Sequence, residues 1–476
     1  MGAGQSAEYA ERYSSGTVRV PALKIPKAIH LKVFAASAIG LLSGALTSRA
    51  LPSFARQLNM PCIACHTEYP ILNEFGRQFK LTGYTLAAGT FSLPPVAVML
   101  QPSFTQTESG QAGGAAPGFA PNSNFALTQA SVFYAGRLFG PYSTDLFGTN
   151  GGAIADKFGI FSQTTYDGIG KSWSWDNTEL RFADSGTLAG KSVIYGIYLN
   201  NNPTMQDPWN STPAWGFPFS GSGLAPTPAA SPLITGAFAG QVGGIGAYTM
   251  IADTVYLDVG AYRTLGPQFQ YSVGVDPTGE AQISGLAPYW RLAVEKSTDS
   301  SNWELGTFGM VANTYPGRDP SAGKDQTADV GIDSQYQYSN LTSDVTVMAS
   351  AIYEHDDWRA SQPLGATSNA TDTLLNEKIA IDYLYDKTYG AAAQVFNVNG
   401  SLDPLLYPGS ASGSADSNGY IFQLNYMPLN KDGGPAFWPK SNLKLSVQYV
   451  VYSHFDGTTQ SASANNTLYL EAWIMF

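Results

Sequence analysis

From residue 96 onward the chain alternates. Leu443, Leu445, Val447, Tyr449 and Val451 are separated by residues that include Lys444, Ser446 and Gln448. A period of two belongs to a strand whose two faces meet different surroundings. The last residues keep the same beat, with Leu468, Leu470, Ala472, Ile474 and Phe476 interleaving with Tyr469, Glu471, Trp473 and Met475. Similar stretches fall near 96–107, 125–138, 156–167, 176–184, 190–200, 240–251, 253–264, 286–297, 303–313, 328–338, 344–354, 373–385, 389–399 and 419–427. With the last two, the pattern predicts 16 strands and an all-β, antiparallel transmembrane barrel over 96–476.

The spacers sort themselves as such a barrel requires. Segments 298–302, 339–343 and 386–388 are short. Segments 108–124, 202–239, 265–285, 314–327, 355–372, 400–418 and 454–467 are long. Short periplasmic turns opposite long external loops give that asymmetry, and an even count brings both ends of the barrel to the periplasmic side. Two spacers, 139–155 and 428–442, are too long for the short side, which leaves a count two strands away open. No stretch beyond residue 50 is long and apolar enough for a transmembrane helix.

Composition agrees. Charged residues are 13% of the 476, about half the usual share, while aromatics reach 13% with 27 Tyr, 24 Phe and 50 Gly. Mean hydropathy is near neutral at −0.10, so small polar residues rather than apolar runs have replaced the charges. A net charge of −11, with no basic stripe along the sequence to neutralise phosphates, argues against nucleic acid as a partner.

The amino terminus reads as a secretory leader over residues 1–50. Lys24, Lys27 and Lys32 precede the apolar run 33–46, and small residues up to Ala50 fit a cleavage site. Residues 1–19 are polar and unlike a leader's start, so initiation is expected nearer Val18 or Val20.

Residues 51–95 hold the candidate chemistry. The chain's two cysteines stand in Cys62-Ile63-Ala64-Cys65-His66, the spacing at which two thiols attach a c-type haem and the histidine ligates its iron. In an oxidising compartment the pair could instead form a disulfide; the adjacent His66 favours haem. Ile71, Leu72, Phe75 and Phe79 recur at helical spacing, with Gly83 as a stop. Phe75 and Phe79 suit a haem wall or a small core of their own. Arg56, Arg77 and Lys80 are placed either to meet haem propionates or to lie in solvent. About 45 residues cannot wrap a haem with their own core, so its walls must come from elsewhere in the chain. The aromatic- and proline-rich stretch 200–219 is one source, if it folds into the lumen rather than forming an external lid.

Pro61 to His66, Phe75-Gly76-Arg77, Phe79-Lys80-Leu81 and Gly83-Tyr84, followed by Asn201-Asn202-Pro203-Thr204 and Trp215-Gly216-Phe217-Pro218, resemble the outer-membrane monohaem cytochrome c–porin fusions of iron-oxidising bacteria. The likeness spans the chain beyond the leader. It implies a bacterial outer-membrane protein with one covalently bound haem c, held by Cys62, Cys65 and His66. It implies an Fe(II):cytochrome c oxidoreductase activity, with Fe(II) as external donor and a periplasmic cytochrome or other electron carrier as acceptor. The residues themselves leave two other readings: a porin-type solute channel with a haem plug or sensor, and an outward electron conduit to minerals. For the second axial ligand, Met205 and Met99 are the better placed candidates, His355 and His454 serve only if the haem lies high in the lumen, and Met60 stands close to Cys62 for reaching the opposite face. Glu354-His355-Asp356-Asp357 and His454 with Asp456 are candidate first contacts for Fe(II) at the external rim, where solvated charges are also expected.

Overall fold

The computed structural model describes residues 51–87, 94–278, 281–410, 412–431, 433–435 and 440–476. The leader expectation lies outside them. Strands run over Val96–Thr107 (β1), Asn124–Arg137 (β2), Phe158–Asp167 (β3), Ser172–Leu188 (β4), Lys191–Asn200 (β5), Val242–Ile251 (β6) and Val255–Thr264 (β7). After the two-residue Gln282–Ile283 (β8) come Ala287–Ser297 (β9), Ser301–Tyr315 (β10), Asp325–Ser339 (β11), Ser343–Asp357 (β12) and Thr371–Tyr385 (β13). Tyr389–Gly400 (β14), Ser417–Tyr426 (β15), Asn442–His454 (β16) and Thr467–Met475 (β17) complete the set.

Each long strand pairs antiparallel with its neighbours, β7 pairs directly with β9, and β17 returns to β1 through Leu100↔Ile474 and Phe104↔Leu470. The ring is closed and has 16 strands, with β8 an appendage on β10. Closure removes every strand edge, so no backbone donor is left facing lipid.

Alternation sets the two faces. Asn442, Lys444, Ser446 and Gln448 of β16 are buried toward the lumen, whereas Leu445 and Val447 lie on the outer surface. Ile197, Ile245, Val259, Ile332, Ile379 and Leu424 give other strands the same apolar exterior. Exposed Trp303, Tyr336, Tyr338, Tyr383, Tyr385, Tyr389 and Tyr426 gather at the short-turn end of their strands. This is the aromatic girdle of a membrane interface. The turns at that end are tight: Ala189 and Gly190, between β4 and β5, both take positive φ (49° and 77°), the conformation whose twist matches a two-residue hairpin.

The overlong β2–β3 connection contains a helix, Ser143–Ala155, kinked at Gly148. Its length comes from that inserted helix and not from an unrecognised strand pair, so the count of 16 stands.

The lumen is occupied. Two short helices, Pro52–Leu58 and Glu74–Leu81, sit inside with the 3-10 turn Cys62–Ala64 between them. The long β5–β6 loop also turns inward: Asn200 to Asn210 are buried, and Trp209 is wholly so. The lumen placement of 200–219 is the one observed.

Ile379, at the middle of β13 and 61% exposed, reports on the lipid belt. Ile379→Arg should destabilise the barrel by about 2–4 kcal/mol, seen as a lower denaturation midpoint after refolding into liposomes.

Candidate functional site

The CxxCH segment is shaped by a glycine. Cys65 N donates to Cys62 O (3.1 Å) and His66 N to the same oxygen (3.2 Å), which closes the turn. Asn73 clamps it from the following helix: its backbone N donates to Cys65 O (2.9 Å) and its side chain to Ala64 O (3.1 Å), while its Oδ1 caps Gly76 N (3.0 Å). At Gly76 the helix passes so close that an added Cβ would lie 2.2 Å from Cys65 O. Only glycine permits that approach.

Cys62, Cys65 and His66 line one cavity of about 420 Å3. Phe54, Leu58, Phe79 and Tyr84 form its wall from the amino-terminal segment, and Met99, Phe133, Phe161 and Trp473 form it from β1, β2, β3 and β17. Ala214, Trp215 and Phe219 of the infolded loop close it. The borrowed walls expected from the short length of 51–95 are present. Phe79 is buried both in the cavity wall and in the apolar cluster around Leu58 and Met475, so wall and small core are one structure.

The two cysteines are free thiols in this conformation. Burial pushes each thiol up to about 12, so both are protonated at neutral pH. His66 is held neutral, since burial lowers it to about 4. Its Nδ1 is buried without a hydrogen-bond partner, although the backbone of Pro70 and Ile71 lies beside it. A ligating imidazole usually gives its second nitrogen to such a backbone group. The His66 ring meets Tyr69 edge-on at 5.1 Å, and Tyr69 meets Trp473 at 5.1 Å and 88°. Two thiols, a neutral imidazole with its second nitrogen aimed at backbone, and an apolar aromatic chamber together fit a covalently attached porphyrin.

The candidate propionate partners separate. Arg77 is neither solvated nor at the cavity: it pairs with Glu295 (3.1 Å) and donates to Gln337 Oε1 (2.7 Å). Arg56 bonds the Val96 carbonyl. Lys80 does line the cavity, donating to Asn210 Oδ1 (2.9 Å) with Nζ 5.5 Å from the Trp215 ring centre. Burial first, and Arg181 second, lower its ammonium to about 7.

Of the candidate axial ligands, His355 is displaced. It lies on the exposed face of β12 between the lumen-facing Glu354 and Asp356, because neighbours on a strand point opposite ways. Met205 belongs to the apolar cluster beside the cavity but does not line it; Met99 and Met60 do. Met99 Sδ already accepts the Trp473 indole N–H at 2.8 Å.

The same alternation splits the rim tetrad. Glu354 Oε2 accepts Leu233 N (2.5 Å) and Asp356 Oδ1 accepts Thr327 Oγ1 (2.6 Å), so both carboxylates hold lumen structure. Asp456 Oδ1 accepts Ala229 N (2.9 Å). Among the described residues, no three His, Cys, Asp or Glu side chains converge as a metal site.

A set of buried ion pairs carried no sequence signal. Arg291 of β9 meets Asp207 (3.0 Å), Glu304 (3.1 Å) and Asp333 (2.8 Å). Arg181 of β4 pairs with Glu179 and donates to Lys80 O (2.9 Å) and Gln206 O (2.8 Å). These arginines fasten the loop and the amino-terminal segment to the wall.

A closed ring with an apolar outer belt and an aromatic girdle is the form a chain takes in a bacterial outer membrane. The protein is an outer-membrane β-barrel of porin architecture. No protein-family model matches the chain, and no curated protein does. Among solved structures, OmpF of Salmonella typhi, in complex with daunomycin, is 11% identical over 80% of this chain and 97% of its own, at a TM-score of 0.45. An anion-selective porin of Comamonas acidovorans is 10% identical over 80% and 98%, at 0.43. The outer-membrane channel DcaP of Acinetobacter baumannii is 9% identical over 80% and 96%, at 0.44. At these levels they add nothing to the strand register on which the barrel rests.

Gly76→Ala should drive the Glu74–Leu81 helix off the Cys65 carbonyl, costing about 1–3 kcal/mol of local packing. Faster proteolysis within 51–87, with the barrel still intact on gels, is the expected readout.

Proposed function

We propose that the protein is an outer-membrane electron-transfer cytochrome of the cytochrome–porin fusion kind. It would oxidise external Fe(II) and deliver electrons to a periplasmic cytochrome or other carrier. The observation that carries this reading is the cavity that gathers Cys62, Cys65 and His66 inside a closed barrel. When bound there, haem c supplies reversible one-electron exchange.

Every other part of the task falls to the chain. Cys62 and Cys65 would anchor the group, and neutral His66 would hold its iron. Phe54, Phe79, Phe133 and Trp473 exclude water and keep the local dielectric low, which tunes a potential. Lys80 sets an amine at the cavity wall, donating to Asn210.

Position decides the direction of approach. Met99 and Trp473 stand within three residues of the short-turn ends of β1 and β17, Val96 and Met475. By the rule of short periplasmic turns, that end is periplasmic. The external ends lie roughly 20–30 Å away at about 3.3 Å per residue and the usual strand tilt. A periplasmic carrier would therefore meet the site from below at short range. An Fe(II) donor at the external rim would stand at that longer distance, across the loop-filled lumen.

The solute-channel reading finds support in the barrel and is opposed by the filled lumen. Purified protein carrying haem, mixed anaerobically with Fe(II), should develop the ferrous haem spectrum, and a Cys62→Ala, Cys65→Ala double variant should lose it. No reduction at the working pH would sink the iron reading. Solute flux through liposomes equal in both proteins would favour the channel.

A further inference from the structure

A second cavity of about 180 Å3 adjoins the first, with Asn210, Pro213, Gly216 and Pro218 lining both. That stretch of the infolded loop is the partition between them. The far wall comes from the middle of β12, β13 and β14. Alternation turns Ser350, Asn376, Lys378 and Gln394 inward there, and the register sets Lys378 directly opposite Ser350 and Ala380 opposite Gln394.

Lys378 has no counter-charge. Arg77, Arg181, Arg291, Lys387 and Lys444 of the lumen each have a carboxylate within ion-pair distance. Lys378 has neither a carboxylate nor a hydrogen-bond partner among the described residues, and the side chains of Ser350, Asn376 and Gln394 make no hydrogen bond either. Thr235 Oγ1 is buried without a partner on the same walls, and so is Gln394 Oε1, whose amide must turn to point Nε2 into the space as a donor. Met348, Ile352, Phe217 and Ala380 supply the apolar remainder.

Keeping an ammonium in such a chamber is costly unless it gives up its proton or a second charge joins it. Water can satisfy the amides and the hydroxyl, but it cannot neutralise the ammonium. A charge, two amides and a hydroxyl around a small space are what an oxyanion needs. We infer that this chamber binds a small free oxyanion, with Lys378 Nζ as its charge partner and Ser350, Asn376 and Gln394 as hydrogen-bond donors. The inference stands on the barrel and its infolded loop, and requires that no carboxylate of a group in the first cavity reaches Lys378.

The probe is inorganic phosphate, titrated calorimetrically into the full chain in detergent at low chloride. Saturable binding with a Kd below about 1 mM is expected. Lys378→Met should weaken it at least about tenfold, and Asn376→Leu, which keeps the charge, by about threefold. Lys171→Met, on the exposed surface, should leave it unchanged. Heat-modifiable migration on gels certifies each variant as folded, and Asn376→Leu carries the test if Lys378→Met fails to assemble. Three results would overturn the inference. One is that phosphate, sulfate and acetate all fail to bind. Another is that phosphate binds the folded lysine variant as it binds the parent. The third is that it binds only the Cys62→Ala, Cys65→Ala variant, since the partner of Lys378 would then be a carboxylate of the attached group.

Discussion

Arg181 is where three distant parts of the chain are tied. From β4 it pairs with Glu179 on its own strand, donates to the Lys80 carbonyl at the end of the inner helix, and donates to the Gln206 carbonyl in the infolded loop. Its guanidinium also lies over Tyr84 and Tyr248, 5.5 and 5.1 Å from the ring centres. A buried ion pair is weak evidence of stability in itself, but removing one partner strands a charge and costs about 3–5 kcal/mol. That asymmetry makes Arg181 a device for specificity. If the amino-terminal segment left its place, Arg181 would lose the Lys80 carbonyl and Glu179 the Tyr84 hydroxyl that donates to it (3.1 Å). Arg291 with Asp207, Glu304 and Asp333, and Arg77 with Glu295, repeat the arrangement further round the wall.

The cavity around His66 follows from this clamping. Residues 51–87 have too little apolar surface to enclose a chamber of about 420 Å3 alone. Held against β1, β2, β3 and β17, they need only one side, and the barrel with its loop provides the rest. Trp209 shows how the loop is held: its indole N–H donates to Glu295 (2.7 Å), the carboxylate that also pairs with Arg77. Loop and inner helix thus share one anchor.

The strands were legible because each lies between lipid and a polar lumen, so period-two alternation is written along its whole length. Leu443 to Val451 carry it plainly, and the 16 stretches recur within a few residues of their expected limits. The thiol spacing of Cys62 and Cys65 was legible for a different reason: it is local covalent chemistry. The outward direction of His355 was also present in the alternation, since Glu354 and Asp356 could not share its face. The pairing of Arg181 and Arg291 had no such signal. Those contacts join residues far apart in sequence, and a lumen-facing arginine beside a strand reads the same whether paired or solvated. The kinked Ser143–Ala155 helix was hidden by its glycines.

The central claim is that the barrel houses a haem attached through Cys62 and Cys65, and the intact mass of the protein purified from outer membranes tests it most directly. The account predicts a polypeptide heavier by one haem, with the addition lost when both cysteines are replaced by alanine. An unmodified mass, or one lower by two hydrogens as a Cys62–Cys65 disulfide would give, would contradict it.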